Sequence, residues 1–203
     1  MYSFNKRTFD ILISMSAIFL LFPLLSFLCI LILLLDFHLP IFTQIRSGCN
    51  AKPFTIFKLK TMKNNRITKL GLTLRNYKLD ELPQLFNILF GSMSLVGPRP
   101  LYLEYNSLIK EKFKSRNLIK PGITCFSQIF FFKSNTILFE PNAISLDNKH
   151  WNFKFTLDIF YYKKRSFCLD IFLIYITFII LFKSIIGYKI DNKIFKKLSI
   201  GKK

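Results

Sequence analysis

Hydrophobic positions crowd the start of the chain. Ile11 to Leu35 reads ILISMSAIFLLFPLLSFLCILILLL, twenty-five residues without a charge. As a straight helix this run would measure about 37 Å, enough to cross a hydrocarbon core of about 30 Å. It is too long for a cleaved signal peptide, and no small-residue cleavage site follows it, so it is expected to stay in the membrane. Lys6 and Arg7 flank its start and the chain after Arg46 is strongly basic; positive loops favour the cytoplasm, so both ends belong on one side. Pro23 sits mid-run, where it removes a backbone hydrogen bond and crowds the preceding turn. Two readings stay open from these residues: a spanning helix with a tolerated proline kink, and a re-entrant helix-break-helix that returns to the face it entered.

Past the apolar run the pattern shortens. PFTIFKLKTM (Pro53 to Met62) alternates and predicts a strand, whereas PQLFNILFG (Pro83 to Gly91) has helical spacing and ends on a glycine suited to a C-cap. VGPRP (Val96 to Pro100) is irregular, Tyr102 to Arg116 has helical character, and KPGIT (Lys120 to Thr124) is a turn. A second apolar run, Ile171 to Phe182, is too short to span and suits a buried or interfacial helix, with Asp170 capping its start and a lysine-rich tail beyond. The predicted organisation is a membrane segment over 1–38, a cytoplasmic-face domain over 39–190 carrying the interfacial helix near 171–182, and a basic tail over 191–203. The fold class expected is α+β, mainly helical with a small strand element.

Composition narrows the function classes. Of 203 residues, 51% are hydrophobic, yet the formal charge is +19. Disordered basic tails are poor in apolar residues, so this chain pairs an anionic partner with buried or inserted apolar area. Abundant Lys, Phe, Ile and Asn fit an AT-rich codon bias, which makes the seven arginines more informative than the lysines. Cys29, Cys49, Cys125 and Cys168 form no C-x-x-C pair and His38 and His150 stand far apart, so neither a zinc cluster nor a disulfide framework is supported. A nucleic-acid role lacks any aromatic-basic signature and conflicts with a charge-free membrane segment.

Against this basic field stands LDELPQL. Asp80 and Glu81 are the only acids between Asp36 and Glu104, an interval holding ten Lys and Arg. One reading is a helix start, with Asp80 capping and Glu81 favouring the positive dipole end. The other uses the same geometry for chemistry: Arg75 and Lys78 just upstream would lower the Asp80 pKa and keep it ionised, fit to hold a cation or attack phosphorus, with Glu81 beside it to move a proton.

The stretches NKRTFD, PIFTQIRSG, KPFTIFKLKTM, RITKLGLTLR, LDELPQLFNILFGSMSLVGPRP, KPGIT and FTLDIFYYKKRSFCLDI resemble, in order and spacing, the bacterial sugar transferases, small monotopic phosphoglycosyl transferases. The resemblance covers about residues 5 to 182, and Arg7, Arg46, Arg66, Arg75, Arg99 and Arg116 fall where that family carries arginine. It implies a two-step exchange. Asp80 would attack the β-phosphate of a UDP-sugar and release UMP, and polyprenol phosphate would then take the phosphosugar. Glu81 would assist proton movement, Arg75, Arg99 and Lys60 would bind phosphate, and Mg²⁺ would be held at Asp80. The resemblance also implies the re-entrant hairpin bent at Pro23, with the catalytic domain on the cytoplasmic face of the bacterial inner membrane. A homodimer stays open.

Four departures from the family bear on activity. Ser92 replaces an aspartate, Lys60 an arginine, Cys125 and Ser127 a glycine and an alanine. Phe130 to Phe132 replace an Asn-Gly-Arg, and an insertion of roughly fourteen residues follows before Trp151. Lys133 is one candidate for the missing charge. The alternative function is therefore a degenerate, non-catalytic membrane protein that binds partners through the same fold.

Overall fold

The computed structural model describes residues 2–107, 109–131 and 149–185. Phe132, Lys133, most of the insertion and the basic tail 191–203 lie outside the described residues. In chain order the elements are α1 (Tyr2–Leu31), β1 (Ile41–Ser47), β2 (Pro53–Leu59), β3 (Met62–Lys63), β4 (Arg66–Ile67), α2 (Lys69–Asn76), α3 (Gln84–Phe90), β5 (Ser94–Val96), β6 (Gly122–Thr124), α4 (Phe126–Phe131), α5 (Lys149–Lys164) and α6 (Phe167–Ile185). The architecture is mostly helical with three two-stranded pairings, as an α+β reading expects.

α1 is the lipophilic element. The helical stretch Phe4–Asp36 is long and apolar enough to cross a membrane by length and composition, and little of it is buried. Phe19, Leu20, Phe22 and Phe27 stand exposed in its middle. The expected break into two helices at Pro23 is not observed, because α1 runs through Pro23. Proline removes only its own N–H bond, and the turns on either side keep theirs. Regular α-helix ends later, in a π-turn over Ile32–Asp36 closed by Phe37 in the left-handed region. An apolar hollow of about 680 Å³ lies against Met15, Ile18, Phe19, Leu20, Phe22 and Pro23, on the lipophilic face and away from any charged group.

Both ends of α1 are fastened to the domain. Near the start, Lys6 pairs with buried Asp170 at 2.7 Å, the Arg7 guanidinium donates to the Ile88 and Leu89 carbonyls, and Asp10 accepts from the Leu95 amide. Arg7 thereby adds donors to carbonyls in the last turn of α3 and faces the negative end of its dipole. At the far end, Leu28 and Ile32 pack with Leu59 and Leu74, and Asp36 accepts from the Thr68 hydroxyl at 2.7 Å.

β1 and β2 pair antiparallel from Ile41↔Leu59 to Ser47↔Pro53. The strand pattern thus ends at Leu59, and Met62 starts the short β3–β4 hairpin, whose turn residues Asn64 and Asn65 both take positive φ. Asn87 of α3 closes the exposed edge of β2: its carbonyl accepts from the Phe57 amide and its amide donates to the Thr55 carbonyl. Ser92, where the family's aspartate was missed, exchanges hydrogen bonds with Asn87, so in this fold it seats α3 on β2.

Other expectations shift. Tyr102 to Arg116 is not one α-helix but two 3₁₀ stretches, Leu103–Asn106 and Glu111–Leu118. Phe113 and Arg116 are both buried, and a 3₁₀ turn sets residues three apart on one line. α6 is nineteen residues rather than twelve, and Ser166 rather than Asp170 caps it, accepting from the Leu169 amide. Asp170 is turned inward onto Lys6 and the Tyr161 hydroxyl. Leu173, Ile176 and Ile180 fill the core with Ile88, Met93 and Val96, while Ile171, Tyr175, Phe178 and Phe182 remain exposed along the other side of α6.

Candidate active site

The site is assembled where two sequence-distant turns meet. Thr68 caps α2 by accepting from the Gly71 amide, and Gly71 lets that helix press on Thr61 so closely that a Cβ would lie 2.1 Å from the Thr61 carbonyl oxygen. Thr61 in turn accepts a hydrogen bond from Arg75 Nε at 2.8 Å. Lys78 then takes the left-handed region (φ 59°), a strained placement for a lysine, and throws the chain into the 3₁₀ turn Leu79–Glu81. Asp80 is therefore not the helix cap expected of it. α3 begins at Gln84 behind Pro83, which makes no side-chain cap, and closes on Gly91 (φ 91°).

From the other side come Gly97 and Gly122. A Cβ on Gly122 would lie 2.1 Å from the Gly97 nitrogen, and one on Gly97 would lie 2.3 Å from the Lys120 carbonyl oxygen. Only bare backbones fit there, and the contact holds β5 and β6 in parallel register, Ser94↔Gly122 and Val96↔Thr124. That pairing delivers Arg99 to the dyad.

Glu81 accepts from Arg99 Nη2 at 2.6 Å and from Lys58 Nζ at 3.2 Å, both on Oε1. Burial alone would push its pKa up, but Arg99 and Lys58 outweigh that and hold it well below the usual carboxylate range. Asp80 is equally buried, yet no described group hydrogen-bonds its carboxylate. Its pKa is raised, first by burial and then by the Glu81 charge, with Lys58, Lys78 and Arg75 offsetting part of the rise. This reverses the lowering expected from the flanking cations, because desolvation exceeds their attraction. The pair is thus split: Glu81 a fixed anion, Asp80 the more basic oxygen.

Behind Arg99 lies a closed ring of hydrogen bonds. Arg99 Nη1 donates to Gln128 Oε1 at 3.2 Å, the Gln128 amide donates to Cys125 Sγ, and that sulfur meets Ser127 Oγ at 3.2 Å. Ser127 donates to Asp158 Oδ1, Arg116 Nε donates to Asp158 Oδ2 at 3.0 Å, and Arg116 Nη2 returns to the Arg99 carbonyl. Cys125 is fully enclosed, and burial pushes its thiol pKa up, so it serves as a neutral link in the ring.

Of the residues picked from sequence, the structure brings together Asp80, Glu81 and Arg99, and sets Arg75 within electrostatic reach of Asp80. It does not bring Lys60, whose described hydrogen bond is from its backbone amide to the Pro40 carbonyl; Lys58, two residues earlier, holds Glu81 instead. Pro23 lies in α1, outside the site. Sequence reasoning passed over Lys58, Gln128 and Asp158, and marked Ser127 only as a departure from the family. Asp158 had a signal, a lone acid inside the apolar stretch FTLDIFYY, and Arg116 had been marked only as a family arginine.

A buried carboxylate pair in a cage of cations, on a domain that carries a helix long and apolar enough to cross a membrane, makes a site suited to phosphate-bearing groups. The comparisons sharpen that class. The profile of the bacterial sugar transferase family matches residues 1–184, and the chain belongs to that family. It is similar to the uncharacterized sugar transferase EpsL of Bacillus subtilis (strain 168), 38% identical over 187 residues, covering 85% of this chain and 84% of that one. It is also similar to the UDP-glucose:undecaprenyl-phosphate glucose-1-phosphate transferase of Klebsiella pneumoniae, 34% identical over 85% of this chain and 39% of that protein. A third relative is the UDP-N-acetylgalactosamine-undecaprenyl-phosphate N-acetylgalactosaminephosphotransferase of Aeromonas hydrophila, 30% identical over 87% of this chain and 43% of the relative. The chain thus spans most of EpsL but well under half of the other two.

Proposed function

We propose that this chain transfers a sugar 1-phosphate from a UDP-sugar to undecaprenyl phosphate, the reaction named for its relatives. The observation that carries the reading is Asp80: a buried carboxylate with no described hydrogen bond, raised in pKa, beside a Glu81 already neutralised by Arg99 and Lys58. A carboxylate left without partners in such a place is available to react.

An Asp80 oxygen attacks the β-phosphorus of the donor, the bond from that phosphorus to the bridging oxygen breaks, and UMP leaves with the electron pair. Undecaprenyl phosphate then attacks the same phosphorus through a phosphate oxygen, the aspartyl–phosphorus bond breaks, and the Asp80 carboxylate is restored. Glu81 contributes as a fixed anion that orients Arg99 and Lys58 toward the donor phosphates, and its low pKa makes it a poor proton carrier. Arg75, held by Thr61, and Arg99 counter the charge of the phosphates. The residues present fit Mg²⁺ as this ion is usually held, by one or two carboxylates and substrate phosphates rather than by a protein cage. Asp80 and the second oxygen of Glu81 would hold it; bound there, it neutralises charge on the donor phosphates.

The setting is the cytoplasmic face of the bacterial inner membrane. Both ends of α1 being tied to one domain supports a helix whose two ends lie on one face of the membrane, although it runs unbroken through Pro23. A lipid phosphate and a soluble nucleotide sugar then meet at headgroup level.

The test is UMP release from a panel of UDP-sugars by membranes containing the full chain, undecaprenyl phosphate and Mg²⁺. Asp80→Asn is expected to lose activity by at least about 10³-fold. Release at the wild-type rate from Asp80→Asn would sink the aspartyl route, and no release from any donor by the wild-type protein would favour the non-catalytic alternative.

A further inference from the structure

The ring behind Arg99 leaves one cation over. Lys154 lies on α5 one turn before Asp158, so the two side chains share a face of that helix. Lys154 is 8% exposed and Asp158 1%. Both Asp158 oxygens are occupied, Oδ1 by the Ser127 hydroxyl and Oδ2 by Arg116. Among the described residues, none hydrogen-bonds to the Lys154 ammonium. It sits 4.5 Å from the centre of the Trp151 ring and within electrostatic reach of Arg99, the residue that holds Glu81. A lysine kept this deep is costly, since burial strips its hydration, and a ring face together with an Asp158 already bonded to Arg116 returns only part of it. The stem packs, and the charge is left for something else.

We propose that Lys154 is a phosphate-binding residue of this site, its ammonium taking a phosphate oxygen of a bound substrate next to Arg99. This rests on the transferase reading for the identity of the substrate, though not for the presence of an anion site. The cation is supplied by α5, so the pocket draws on a helix outside the dyad segment. It also meets the loss of the family's arginine after Gln128 with a residue other than Lys133, which lies outside the described residues.

Burial lowers the Lys154 pKa to about 8, with Asp158 and Cys125 countering the fall and Arg99 and Arg116 adding to it. Below that pH the ammonium is charged and attracts phosphate; above it the attraction is lost. Of the groups facing it, the Cys125 thiol is raised in pKa and stays neutral through this window, and Arg99 is raised and stays charged.

The experiment measures binding of UDP, and separately of undecaprenyl phosphate in mixed micelles, to the purified full chain and to Lys154→Met and Lys154→Arg. Lys154→Met keeps the apolar stem and is expected to weaken one of the two ligands about tenfold with Tm unchanged or raised, while Lys154→Arg restores most of the loss. Weakened UDP places the residue on the donor, and weakened undecaprenyl phosphate places it on the acceptor. In the wild-type protein that affinity should fall as pH rises through about 8, a readout independent of whether a variant folds, and the fall should vanish in Lys154→Arg. Unchanged affinity for both ligands in Lys154→Met, or a lowered Tm with no pH effect in the wild type, overturns the assignment. Lost UDP binding in a protein that releases no UMP would leave Lys154 standing and bring down the transferase reading instead.

Discussion

Glu81 carries two cations on one oxygen while Asp80, its neighbour in sequence, pairs with none among the described residues. The pH profile should expose that difference. Ionised Asp80 is the reactive form, so kcat/KM falls as pH drops through its raised pKa. In Glu81→Gln the like charge that helps raise Asp80 disappears, and Arg99 and Lys58 turn their attraction to it. The acid limb should then move to lower pH, on a plateau reduced by about 10²-fold. A limb that stays in place would mean the two carboxylates do not couple. The dyad and Arg99 were legible because adjacency and a proline-fenced arginine survive in one dimension. Lys58, Gln128 and Asp158 were not, since they enter through contacts spanning 23, 29 and 42 residues of chain. Lys60 rests on a motif position, whereas the structure sets Lys58, two residues earlier, on Glu81. The sign of the Asp80 shift was misjudged for a related reason: flanking cations can be read from sequence, but the depth of burial cannot.

Among the elements, α3 matched its sequence pattern closely because every local signal agreed: apolar spacing, Pro83 ahead and Gly91 behind. α6 did not, since its polar first turn is buried only through Lys6 of α1 and Tyr161 of α5. The pairing of β5 with β6 was invisible, being two three-residue strands joined across some 25 residues and held by facing glycines. Its energetic weight can be read from those glycines. Gly122→Ala would drive a methyl group into the Gly97 backbone, where no flexible side chain can yield. The backbones must part, at about 1–3 kcal/mol, which for a chain of this size lowers Tm by about 2–12 °C. Arg99, two residues past Gly97, moves with them, so UMP release should fall more steeply than stability. Full activity in Gly122→Ala would show that the parallel pair does not aim Arg99.

For the molecule as a whole, the question is which side of the membrane each end of α1 occupies. Hydropathy alone could not separate a spanning helix from a returning one, and charge on both flanks only leaned one way. Docking adds the missing constraint. Lys6, Arg7 and Asp10 are bonded to α6, α3 and β5, and Asp36 is bonded to Thr68 at the cap of α2. Those partners belong to one packed body, so carrying one end of α1 across a bilayer would require breaking an ion pair and several hydrogen bonds or dragging the polar domain through lipid. Phe4 and Leu39 flank the run and are each 76% exposed, which makes them fair reporters. With Cys29, Cys49 and Cys168 replaced by serine, Phe4→Cys and Leu39→Cys should both react with a membrane-impermeant maleimide from one face of sealed vesicles, and neither from the other. Protection of one while the other reacts would put the ends on opposite sides. In that case the contacts at Lys6 and Asp36 could not both persist in the bilayer, and a site placed at headgroup level by a returning helix would lose its support.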